Sequence, residues 1–232
     1  MALVSSAASA DAPGWYGKLS SLGDFATRRL PDDFRQACDP WLSNAVAVSR
    51  AQLGERWLDV YLTAPVLRFA WAPGVFDTRW WFGVMMPSCD NVGRYFPLLI
   101  AHPRARAPVD RIALDHLELW LDHLAGAALQ TLHEQASLDT FEAALNDAPP
   151  WPTPGATVRI AMNAGSGGDR YELDRAATLN QWLHAISIHE LQTRFAGHSL
   201  WWRQTDTSQR ATVNAMRGLP DPAAFAALLS GT

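Results

Sequence analysis

Cysteine is close to absent: the 232 residues contain two, Cys38 and Cys89. Two thiols make neither a disulfide framework nor a four-ligand zinc site of the usual Cys and His spacing, and they fit a reducing compartment. No apolar run approaches the roughly 20 residues that span a bilayer, so direct membrane insertion is not expected. Long runs of one charge are missing too. With 19 basic and 23 acidic residues, a formal net charge of −4, the chain carries no electrostatic footprint for nucleic acid. The opening "MALVSSAASADAP" lacks a basic stretch and an apolar segment of signal-peptide length, and residues 1–13 are expected to be a flexible leader.

What the chain has in surplus is tryptophan. Eleven Trp residues need a large core or a partner surface to take them. Apolar and aromatic residues make up 48% of the sequence and charged ones 18%, so a buried core is expected. "VLRFAWA" (66–72) and "RWWFGVMM" (79–86) are apolar at almost every position. Neighbouring residues of a strand point to opposite faces, so Trp80 and Trp81 cannot share one, and both faces of their sheet need cover. The same holds for Trp201 and Trp202 in "HSLWWRQ".

Helical spacing supplies that cover. Phe34, Cys38, Trp41, Leu42, Ala45 and Leu53 recur with a helical period over 32–53, and "ERWLDVYL" makes a second, short helix. Ala113, Leu117, Trp120, Leu121, Leu124, Ala128 and Leu132 form one stripe over 110–134. Further strands are expected at 14–19, 95–101, 157–163 and from 211, a helix over 173–191, and a closing helix begun by Pro222. The four prolines of 147–155 make that stretch a connector within one fold. The expected class is α/β: a three-layer α/β/α sandwich in which a mixed sheet is covered by helices on both faces, with residues 14–232 as a single domain.

Three stretches invite chemistry. "PSCDNVGRYFPL" (87–98) joins two apolar strands, so it reads as a hairpin loop. In that reading Ser88 and Asp90 bond loop amides, Gly93 takes a positive φ, and Arg94 pairs with Asp90. The competing reading makes Ser88 a nucleophile, although G-x-S-x-G between strand and helix is not its context and no flanking histidine offers a base. "NAGSGGD" (163–169) has glycines enough to cradle a phosphate, but neither phosphate-binding signature is present. "SLGDFATRR" (21–29) places Asp24 beside Gly23 as a cap for backbone donors, with Arg28 and Arg29 in solvent. The seven histidines do not converge by spacing, and no metal or cofactor is expected.

Five blocks carry more than composition does. "GWYGKLSSLGDFATRRLPDDF", "SRAQLGERWLDVYLTAP", "WWFGVMMPSCDNVGRYFPL", "HSLWWRQ" and "GLPDPAAF" resemble, in order and spacing, the TagF family of type VI secretion system-associated proteins. Ser20 stands where the family pattern has proline and Cys89 where it has valine. The resemblance implies a non-enzymatic cytoplasmic regulator of a Gram-negative bacterium, a posttranslational repressor that sequesters the forkhead-associated scaffold protein Fha. Some relatives are fused to a phosphatase of the type VI threonine-phosphorylation pathway, which implies a functional link to such an enzyme. The loops holding Gly23 and Asp24 and holding Ser88, Asp90, Gly93 and Arg94 are then either structural motifs that brace each other or contacts to the partner. The alternative is a hydrolase or nucleotide-binding enzyme built on the 88–94 or the 165–168 loop.

Overall fold

The computed structural model describes residues 11–152, 160–165, 168–173, 178–204 and 211–231. The chain runs β1 (Gly14–Gly17), β2 (Ala26–Arg28), α1 (Asp32–Leu53), a single 3-10 turn, α2 (Trp57–Thr63), β3 (Leu67–Trp71), β4 (Trp80–Met86) and β5 (Leu98–Arg104). It continues with α3 (Arg111–Gln130), α4 (Leu138–Asn146), β6 (Ile160–Gly165), β7 (Gly168–Leu173), α5 (Leu179–Phe195), β8 (His198–Arg203), β9 (Val213–Arg217) and α6 (Pro222–Ser230).

Seven strands form one sheet in the order β2-β1-β5-β4-β3-β8-β9, and β6 and β7 form a separate hairpin. Every pairing in the large sheet is antiparallel, which corrects the expected mixed sheet. A continuous apolar run reports that both sides of a strand are covered and says nothing about strand direction. The cover itself is as the double tryptophans require. Trp80, Phe82, Val84 and Met86 belong to one core cluster, with Leu117, Trp120, Leu121 and Leu124 of α3 and Phe141 and Leu145 of α4. Trp81 and Met85 belong to the other, with Phe34, Cys38 and Leu42 of α1, Trp57 and Tyr61 of α2 and Phe225 of α6. Trp201 and Trp202 divide between the clusters in the same way.

Local signals set the helix ends. Asp110 caps α3 by accepting from the Ala113 amide, Ser137 and Thr140 form a capping box on α4, and Asp221 caps α6 with Pro222 behind it. α3 stops at Gln130, so Leu132, expected on its buried stripe, is 51% exposed. β2 and α4 have no counterpart in the periodicity, because a three-residue strand and a nine-residue helix are too short to show a period, and the helix expected over 173–191 is corrected to α5, which starts at Leu179 after the Thr178 cap while Leu173 ends β7. The connector 147–155 and the strand from 157 are described only in part.

Two glycines respond in opposite ways to a side chain. At Gly83 a Cβ would lie 1.9 Å from the Ile100 carbonyl oxygen and 2.7 Å from the Phe69 ring, so only glycine lets β4 lie under that ring against β5. At Gly126, inside α3, a Cβ meets nothing within 4 Å. Gly126→Ala is expected to stabilise by about 0.5–1 kcal/mol. Gly83→Ala is expected to destabilise by more than ~3 kcal/mol, because the obstruction is backbone. Urea melts of the two variants check both signs.

Candidate functional site

The site is built where β1 leaves the sheet. Its register against β5 sets Tyr16 opposite Leu99, so the chain leaving β1 passes the approach to β5. Gly17 makes that pass at φ +137°, and a Cβ there would sit 2.1 Å from the Pro97 carbonyl oxygen. The next residue, Lys18, is 3% exposed. Its Nζ lies 2.5 Å from Oδ2 of Asp90, itself 2% exposed. The Phe25 ring stands 4.6 Å from the same ammonium.

Asp90 is the hub. Oδ1 accepts from the amides of Arg94 at 2.8 Å and Val92 at 3.2 Å, and Oδ2 accepts from Lys18 and from Arg94 Nε at 2.7 Å. Burial pushes this carboxyl up, but the Lys18 ammonium, the Arg94 amide and guanidinium and the Val92 amide outweigh it and hold the group well below the usual carboxylate range. Gly93 takes φ +78° to close the turn. Arg94 then reaches across to the other loop, donating from Nη2 to the Gly23 carbonyl at 2.5 Å and lying 3.9 Å from Asp24. The Asn91 amide donates to the Leu22 carbonyl at 3.0 Å, so the two loops are joined through backbone as well.

The hairpin reading therefore describes Asp90, Gly93 and Arg94 as they stand, and Arg94 is both paired and 56% exposed. Ser88 differs in its partner. Its Oγ donates to the Lys18 carbonyl at 2.8 Å, and its amide donates to Tyr61 Oη, which in turn donates to the Ser88 carbonyl. Buried at 4% exposure, the hydroxyl is a tie between β1 and the loop. Asp24 accepts from the Phe25 amide at 2.8 Å and, apart from its 3.9 Å approach to Arg94, is in solvent. Arg29, expected in solvent, instead sits at φ +59° with Nη1 on Glu142 at 2.5 Å, while Arg28 stays half exposed. Lys18 is the residue that sequence reasoning missed: a lone lysine after a strand carries no sign that it will be buried. Gly165 pairs with Gly168 across the β6–β7 hairpin, and residues 166 and 167 of that loop lie outside the described residues.

The outward side of the paired loops is apolar at its tips: Phe25 is 45% and Val92 69% exposed. The two joined loops thus bury Lys18, Ser88 and Asp90 and leave Val92, Arg94 and Asp24 largely at the surface, with Phe25 half exposed beside them.

A family model described as the TagF N-terminal domain, type VI secretion system-associated, matches residues 14–148. The chain belongs to the TagF family. Both loops of the platform fall inside the matched segment. A crystal structure of PA0076 from Pseudomonas aeruginosa PAO1 is similar over 95% of this chain and 94% of that one, with 35% identity and a TM-score of 0.76. No curated protein matches the chain. The TagF N-terminal match stops at 148, whereas β8 and β9 beyond it extend the same sheet, β8 by pairing with β3 and β9 by pairing with β8. Among the described residues no helix is long and apolar enough to cross a membrane.

Breaking a buried pair from one side leaves an uncompensated charge. Lys18→Met is expected to lower Tm by roughly 10 °C. Because the Asp90 carboxyl is depressed in the folded state, its contribution is complete above the ordinary carboxylate pKa and is lost as pH falls toward the native value. Asp90→Asn should thus flatten the fall of Tm between about pH 5 and pH 1, measured by circular dichroism against the parent.

Proposed function

We propose that the chain is a non-enzymatic cytoplasmic regulator that represses type VI secretion posttranslationally by holding the forkhead-associated scaffold protein Fha in an incompetent complex. Membership of a type VI secretion system-associated family carries this reading. The platform supports it: Phe25 and Val92 are presented outward on loops fixed by Lys18 and Asp90, and Arg94 offers its solvent side beside them. Repression by occupancy depends on the ratio of free regulator to dissociation constant, so it is graded with dose. We also read the two core clusters as the two interfaces of a three-layer α/β/α sandwich, which leaves loop ends as the places for contact. A link to a threonine-phosphorylation phosphatase belongs to the same reading.

The competing enzyme has less to build on. Ser88 Oγ is spent on the Lys18 carbonyl and Asp90 on four donors, and Gly165 and Gly168 pair as ends of antiparallel strands, whereas a phosphate cradle usually leads into a helix.

Overproduction is expected to stop secretion of the type VI tube protein while its cellular level stays constant. Val92→Glu and Arg94→Ala, checked for intact folding by their melting curves, are expected to reduce recovery of Fha in a pull-down. Continued secretion under confirmed overproduction contradicts the repressor reading, and undiminished Fha recovery with both variants contradicts the platform as its contact.

A further inference from the structure

A cavity of about 310 Å³ opens on the far side of α2, between that helix and the end of α3. Its walls are Leu62, Val66, Met86, Ala125, Leu129 and Leu132, and Leu62, Leu129 and Leu132 are each about half exposed on its rim. One charged side chain lines it from below: Arg68, in the middle of the fully buried strand β3 and itself 3% exposed.

An arginine inside a sheet is costly unless its donors are met. Two acceptors reach it, Asp122 and Gln204, and both are bonded to the same nitrogen, Nη2. Among the described residues Nε and Nη1 have no acceptor. Asp122 is 37% exposed, so the charge that balances Arg68 sits at the solvent edge and is screened there. Arg68 therefore lines a mostly apolar cavity while its hydrogen bonds among the described residues leave from Nη2 alone. A planar fork of this kind matches a carboxylate, and the apolar walls match a hydrocarbon stem. The volume lies at the small end of ligand cavities, which run from about 300 to 1,000 Å³.

We propose that this cavity is a binding site for a medium-chain aliphatic carboxylate, its head on Arg68 and its tail against Leu62, Leu129 and Leu132. The site is separate from the two-loop platform and does not depend on the repressor reading.

Calorimetric titration of the full chain with octanoate, octanol and octylamine tests it. Octanoate is expected to bind, with octanol and octylamine at least about tenfold weaker, as loss of a hydrogen bond to a charged group dictates. Arg68→Met is expected to bring octanoate down to the level of octanol. Should that variant not fold, Leu129→Trp fills the cavity from its exposed rim without touching Arg68 and is expected to abolish octanoate binding. Equal binding of octanoate and octanol by the parent, no octanoate heat at millimolar concentrations, or full octanoate binding by folded Leu129→Trp would each overturn the proposal.

Discussion

β3 and β4 have no water-facing side, and the rest of the molecule follows from that constraint. Every residue of both strands is buried. Successive side chains feed alternate clusters, so helices must reach both faces and the chain must deliver them from both flanks of the strands. Trp15, Trp71, Trp81, Trp120 and Trp201 are all fully buried, which means that tryptophan serves here mainly as core volume. Polar groups that are to meet anything outside the molecule are consequently confined to the ends of the sheet, to its rims and to the outer sides of helices.

At one end the confinement produces the Lys18 and Asp90 contact. A buried ammonium and carboxylate need every donor and lone pair engaged, and Asp90 comes close to that limit with two amides on one oxygen and two cations on the other. Their effect is geometric: they fix two loops from different parts of the chain at a set spacing, with Arg94 as the bridge and the tips of Phe25 and Val92 outside. Arg68 is the contrasting case, a buried cation that lines a cavity and whose acceptors among the described residues, Asp122 and Gln204, both sit on Nη2.

Much of this was legible before any coordinates. The paired tryptophans specified two covered faces, the helical period over 32–53 matches the bounds of α1, and the turn chemistry of Asp90, Gly93 and Arg94 followed from residue types alone. Strand direction was not legible, because apolar continuity is the same for parallel and antiparallel neighbours when both faces are covered. β2 and α4 were too short to show a period. Lys18 and Arg68 escaped for a shared reason: burial of a single cation depends on acceptors 72 and 54 residues away, and nothing local announces them. Glu142 is the anionic counterpart, accepting from Trp15 and Arg29, which lie more than a hundred residues earlier in the chain.

The 88–96 loop is an extension of the core rather than a mobile connection. Its amides at Ser88, Asp90, Asn91, Val92, Arg94 and Phe96 all donate to internal acceptors. Residue-resolved hydrogen exchange on the native protein tests this most directly. These amides are expected to exchange as slowly as those of β3 and β4. Exchange at the rate of an open loop, with β3 and β4 still protected, would contradict it.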